Sequence, residues 1–206
     1  MPGAAAERRM TVAEFLTWDD GTDTRYELID GVPVAMAPPQ TAHGTIQMRL
    51  GAEIIQALKK RPPCRPISEA GVLAPRRSHT FFVADIAVTC APHRRDTDHM
   101  VTDPILLVEI LSEGTDREVR RVKLPEYRLI PGLREILLVD SRARFAELHG
   151  RLDRERWLVD LARGDEAVLR LESVGADVPL GALYAGLELE DEEPASLSEP
   201  AQSTGS

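Results

Sequence analysis

Residues 104–112, Pro104-Ile105-Leu106-Leu107-Val108-Glu109-Ile110-Leu111-Ser112, form an apolar run with a single acid inside it. The run has no polar alternation, so it reads as a central strand covered on both faces, the kind found in an α/β sheet. Glu109 is the anomaly. A carboxylate enclosed by Leu, Val and Ile loses hydration worth several kcal/mol unless a cation, a metal or hydrogen-bond donors meet it. Something positive is therefore expected beside it. Upstream, Phe81-Phe82-Val83-Ala84-Asp85-Ile86-Ala87-Val88 has the same form, with Asp85 at its centre. One such acid alone is ordinarily a strand-end residue in contact with water or an arginine. Two of them, on two buried strands, point to a site.

Downstream lies Lys123. Of the 25 Lys and Arg residues only Lys59, Lys60 and Lys123 are lysine, so a lysine at a useful spacing carries information. On a helix Lys123 shares a stripe with Val119, Tyr127 and Ile130, which points it inward; the alternative is snorkelling to the surface. Pro125 complicates this segment. It removes the amide that would bond the Arg121 carbonyl and biases Leu124 away from helical geometry, or else it opens a shorter helix with Lys123 ahead of it.

The remaining elements follow from local signals. Thr11 to Trp18 reads as a helix with Thr11 as cap and Glu14 closing a capping box. Arg25–Asp30 and Val32–Ala37 form a hairpin through Asp30-Gly31, with Glu27 on its first strand, where an exposed hairpin acid is the plain reading. Thr41 to Lys60 is an amphipathic helix carrying Ile46, Leu50, Ile54 and Leu58 at helical spacing. Ile67–Ala74 is a strand. Beyond Lys123, the segments 135–140, 144–152, 156–161 and 167–171 alternate enough for an antiparallel C-terminal extension, and 178–184 for a last helical turn.

Composition narrows the classes. At 43% hydrophobic over 206 residues the chain can bury one substantial core, and no run is long enough to span a membrane. The first ten residues lack the apolar centre of a secretory signal, so a cytoplasmic location is expected. Cys64 and Cys90 are too few and too dispersed for a disulfide framework or a metal knuckle and are expected to be reduced. The 34 acids outnumber the 25 bases, for a net charge of −9. Six of those acids fall within 188–206, a Pro/Ser/Glu-rich stretch without Lys or Arg that is expected to be a disordered tail, as are residues 1–10 at the other end. Such a tail would restrain non-specific binding to phosphates. Arg117, Arg120, Arg121, Lys123 and Arg128 gather near the proposed site, where they suit phosphates or simply form a solvated helix face. His93, Asp96, Asp98 and His99 lack a fixed ligand spacing and have Arg94 and Arg95 interleaved, so a polar loop is expected there, not a metal cluster. No phosphate-binding Gly loop, G-x-S-x-G elbow or H-E-x-x-H is present.

A strand-borne Asp, a strand-borne Glu and a following Lys, preceded by Tyr26-Glu27-Leu28-Ile29-Asp30-Gly31, resemble the PD-(D/E)xK nuclease superfamily and, within it, the Uma-type predicted restriction endonucleases of bacteria. The likeness runs from Thr11 to about Tyr184. It rests on the Val12–Leu16 opening, the YELIDG hairpin, the VADIAV and LLVEILS strands and GLREILLVD from Gly132 to Asp140. The superfamily usually has Pro where this chain has Ala84, and Lys where it has Leu111. The Uma-type family is similar to this chain in lacking that Lys and placing one on the next helix.

The resemblance implies a restriction-endonuclease-like mixed sheet flanked by helices, occupying residues 11–187. It further implies metal-dependent hydrolysis of phosphodiester bonds in DNA. Asp85, Glu109 and the Ile110 carbonyl would hold Mg²⁺ or Mn²⁺, Lys123 would serve the attacking water or the phosphate, and Glu27 would lie near the metal. DNA is the expected partner, a membrane is not, and a homodimer is left open. The alternative reading is an inactive nuclease-fold module that binds DNA or a protein partner.

Overall fold

The chain begins, in the order its capping signals set, with a short helix and a hairpin. Thr11 caps helix α1 (Val12–Phe15), and the capping box with Glu14 is complete. The helix is shorter than the expected Thr11–Trp18 because Thr17 and Trp18 bond back three residues, to Glu14 and Phe15, tightening the last turn. Strands β1 (Tyr26–Ile29) and β2 (Val32–Ala35) follow. Their turn has Asp30 at φ 49° and Gly31 at φ 82°, the left-handed pair that a two-residue hairpin of this twist requires. Then come α2 (Thr41–Leu58), β3 (Arg65–Leu73), β4 (Phe81–Thr89) and β5 (Pro104–Leu111). This is the computed structural model of the chain, and it describes residues 9–92 and 99–189. The loop residues His93, Asp96 and Asp98 and most of the acidic tail lie outside the described residues.

From Asp116 the backbone is helical without interruption, as α3 (Asp116–Glu118), a π turn (Val119–Lys123) and α4 (Leu124–Tyr127). The π turn is the answer to Pro125. Leu124 donates to Val119, five residues back, and stays helical at φ −55° and ψ −44°, against the bias expected of a residue before proline. Pro125 sits in the first turn of α4, where its missing amide costs little. The C-terminal part comprises β6 (Glu135–Asp140), β7 (Phe145–Arg151), β8 (Trp157–Arg163), β9 (Val168–Leu171), β10 (Ala176–Pro179) and α5 (Leu180–Tyr184).

Among the described residues eight strands make one mixed sheet in the order β2-β1-β4-β5-β6-β7-β8, with β3 also paired to β4, and β9-β10 make a second, antiparallel pair. Only β5–β6 is parallel; β6–β7–β8 is the expected antiparallel extension. The two-stranded sheet is tied in by Glu135, whose carboxylate accepts from the amides of Glu172 and Ser173 and from the Ser173 hydroxyl.

Both faces of the centre of the main sheet are covered. Ile46, Leu50, Ile54 and Leu58 of α2 pack with α5 and β9–β10 on Val108, Ile110, Leu137 and Val139. Val119, Leu124, Tyr127 and Ile130 pack on Leu107, Leu111, Ile136 and Leu138 on the other face. Strand β5 is thus buried on both sides, and Glu109 falls on the α4 side. One expectation is overturned: Cys64 and Cys90 are bonded to each other. The antiparallel pairing that sets Arg65 against Thr89 brings the two adjoining residues face to face, a proximity that their separation in sequence conceals. No described helix is long and apolar enough to cross a membrane.

Candidate active site

The site lies where the sheet divides. Strand β3 pairs with β4 from Arg65 to Leu73 and so occupies one edge of β4. The other edge is shared: β1 meets it at Phe81, and β5 meets it only from Ile86 to Thr89. Between those contacts, among the described residues, β4 and the end of β5 have no strand neighbour on their facing edges, and their main-chain groups need other partners. Side chains supply them. Glu27 Oε1 accepts from the Val83 amide at 2.6 Å, Lys123 Nζ donates to the Val83 carbonyl at 3.1 Å, and Asp85 Oδ2 accepts from the Ile110 amide at 2.6 Å.

These residues also meet one another. Lys123 Nζ lies 2.8 Å from Glu27 Oε1 and 3.3 Å from Glu109 Oε2, while the Tyr127 hydroxyl donates to Glu109 Oε1 at 2.6 Å. Glu27, Asp85, Glu109 and Lys123 are 5%, 8%, 3% and 6% exposed, and all four line one cleft of about 390 Å³. The π turn carries Lys123 inward, with Val119 and Tyr127 buried beside it as the helical stripe requires. Of the arginine cluster, Arg117 and Arg121 are exposed, and two others are engaged elsewhere. Arg120 turns away to Asp116 and Glu147, and Arg128 to His149.

Electrostatics follow from burial. Desolvation pushes the Glu109 carboxyl up to about 8, against the pull of Lys123 and with added repulsion from Asp85. Burial alone would lower Lys123, but Glu109 and Glu27 outweigh it and hold the ammonium charged well beyond its ordinary range. The pocket therefore holds a fixed cation beside a carboxyl whose burial favours the protonated form. Burial raises Tyr127 too, as does the neighbouring Glu109, so its hydroxyl remains a donor.

Two further residues, His43 and Glu69, line the cleft and a third, Gln47, braces it from α2; none carried a signal beyond ordinary helix and strand polarity. His43, in the first turn of α2, places Nε2 3.1 Å from Asp85 Oδ1, with the Ile110 main chain close by. Its burial opposes a charge, but Asp85 and Glu69 together raise it above the usual histidine value. Gln47, one turn on, donates to the Asp85 carbonyl oxygen at 2.8 Å and to Glu69 at 3.1 Å. Glu69 sits in β3 with φ 49°, a left-handed conformation that costs a non-glycine residue roughly 1–2 kcal/mol. The ladder skips the 69/85 pair there, between Ser68–Ile86 and Ala70–Ala84, and Arg25 and Gln47 hold the Glu69 carboxylate at the cleft edge.

Among the described residues no three His, Cys, Asp or Glu side chains gather as a metal cage. Two carboxylates and a main-chain carbonyl are nevertheless a hard-oxygen donor set of the kind that suits Mg²⁺, an ion that binds through one or two carboxylates and keeps several waters. A buried carboxyl raised as far as Glu109 also favours an added cation.

A mixed sheet split around strand-borne acids and a helix-borne lysine defines a restriction-endonuclease-like fold. The chain belongs to the Uma2 family, described as "Putative restriction endonuclease", which it matches over residues 12–181. It is 27% identical over 179 residues to the uncharacterized protein slr1290 of Synechocystis, covering 87% of this chain and 93% of that protein. A second Synechocystis protein, sll1609, is 26% identical over 165 residues, covering 79% and 93%. The crystal structure of a "putative nuclease belonging to DUF820" from Anabaena variabilis superimposes with a TM-score of 0.69 at 19% identity, over 85% of this chain and 98% of that one, so the two share a fold.

Proposed function

We propose that this chain hydrolyses phosphodiester bonds in DNA with Mg²⁺ or Mn²⁺ held by Asp85, Glu109 and the Ile110 carbonyl. The observation that carries the reading is the meeting of Glu27, Asp85, Glu109 and Lys123 in one cleft at the division of the sheet. When bound, the ion would supply Lewis acidity at the phosphate and lower the pKa of a water molecule. The chain's own residues would do the rest. Asp85 is fixed through one oxygen by the Ile110 amide and through the other by His43. Tyr127 holds one oxygen of Glu109. Lys123, kept charged and aimed by Glu27, would stabilise charge developing on the phosphate or orient the attacking water.

Supercoiled plasmid incubated with the protein and Mg²⁺ or Mn²⁺ is expected to become nicked and linear. Asp85→Asn, or excess chelator, should leave it intact; cleavage undiminished by both would contradict the assignment. The alternative, a module that binds without cutting, becomes the better reading if plasmid stays supercoiled with wild type in both metals.

Metal binding has a readout of its own. At tenfold excess over Kd a ligand confined to the native state should raise Tm by about 3–6 °C for a chain of this size. Asp85→Asn should abolish that rise, and an equal rise in the variant would place the ion elsewhere.

A further inference from the structure

Besides its carboxylates the cleft is lined by Val34, Ala35, Met36, Ala37, Pro38 and Pro39, a run of six residues without a polar side chain that begins beside Glu27, the strand partner of Val34. It is the end of edge strand β2 and the link to α2, and it is largely exposed, with Val34 37% accessible. No feature of hydrolytic chemistry uses it. With Lys123 and the acids it lines one cleft of about 390 Å³, which is thus part charged and part apolar.

That mixed lining matches one nucleotide. A phosphate suits the Lys123 side, while a deoxyribose and the face of a base suit aliphatic and proline surface. The volume lies in the range that encloses a single small ligand. A paired nucleotide cannot reach the wall, because its base face is stacked inside the duplex and would have to be turned out first. The wall also offers no donor or acceptor side chain with which to read base edges in a groove. The lysine and arginine lining the cleft are Lys123 and Arg25, and they, like His43, already face acids: Glu27, Glu69 and Asp85. That is too little positive charge to follow the two phosphate backbones of a duplex.

We propose that the cleft seats one unpaired nucleotide, its base and sugar against Val34–Pro39 and its phosphate toward Lys123, so that the substrate is single-stranded or flapped DNA cut without fixed sequence. This rests on the hydrolytic reading above for the cleavage, though not for the binding. The cost of extruding a base from a duplex corresponds to a preference on the order of 100-fold.

The test compares one fluorescein-labelled oligonucleotide as a single strand, as a flap and as a blunt duplex. Wild type with Mn²⁺ should cut the first two at many positions and the duplex far more slowly. Anisotropy with Glu109→Gln should show tighter binding of the single strand, with a slope of log K against log salt of about −0.7 to −1.4, one or two phosphates. Val34→Ser/Met36→Ser should weaken single-strand binding severalfold with Tm unchanged, whereas Leu161→Ser, on exposed β8, should not. Equal or faster duplex cleavage, a slope steeper than about −3, or no effect of the double variant would overturn the inference. If no substrate is cut, the hydrolytic reading fails, and the binding ratio alone decides: a preference for the single strand upholds the seat and a preference for duplex removes it.

Discussion

Lys123→Ala is expected to lose both cleavage and stability. The ammonium is the cation between Glu27 and Glu109 and the donor to the Val83 carbonyl, so its removal leaves buried acids and a main-chain oxygen without their partner. Breaking a buried pair from one side typically costs about 3–5 kcal/mol. Cleavage should fall by about 10³, as for loss of one preorganised charge at the transition state. Lys123→Arg should restore little, since a planar guanidinium does not fit a site built around a compact ammonium that is 6% exposed. Urea melts and single-turnover cleavage below the melting range separate the two losses. Full cleavage by a folded Lys123→Ala protein would remove the lysine from the chemistry. Read as a reagent alone, Lys123 would be expected to leave stability intact on removal; its three partners in the structure reverse that.

The second large effect concerns Glu109 and has a definite sign. Its carboxyl is raised from 4.5 to about 8, so the folded chain binds this proton more tightly than the unfolded chain. The contribution of this group to stability in metal-free buffer should therefore be fully present below the unfolded value and be lost as pH rises through 5 to 8, by a few kcal/mol in all. His43, also raised, adds a smaller loss of the same sign just above its ordinary range. Glu109→Gln keeps an acceptor for Tyr127 but cannot ionise. It should flatten most of the slope and be more stable than wild type at pH 8. In wild type, Mg²⁺ must displace the proton, so the rise in Tm it produces should grow from pH 6 to pH 8. Parallel pH profiles for wild type and Glu109→Gln would show that this carboxyl is not the titrating group.

The parts of this molecule legible in sequence were those with local or compositional causes. The unbroken apolar run around Glu109 gives β5 its double burial, Asp30-Gly31 sets the hairpin, and the Thr11–Glu14 box starts α1. The lone inward lysine was legible for the same reason, although its route was not. Proline rules foretell a break at Leu124, and the chain instead inserts a π turn, a choice made by the packing of Val119, Leu124 and Tyr127 on the sheet. His43, Gln47 and Glu69 could not be picked out, because each looks like ordinary polar surface until α2 is laid against the divided edge of β4. The Cys64–Cys90 bond likewise depends on strand register, and β10 is too short to outweigh the helical reading of the residues that follow it.

The division of β4 ties the chemistry to the backbone. Val83 and Ile110 have their amides protected by carboxylates from elsewhere in the chain, not by a neighbouring strand. Amide exchange at these two positions is thus a reporter on the acids themselves, sensitive to anything that draws Glu27 or Asp85 aside. The same arrangement limits how an inert yet intact form of the protein can be made. Alanine in place of Glu27 or Asp85 removes the charge and the acceptor of the amide together, whereas Glu27→Gln and Asp85→Asn keep an oxygen for the amide and delete only the charge.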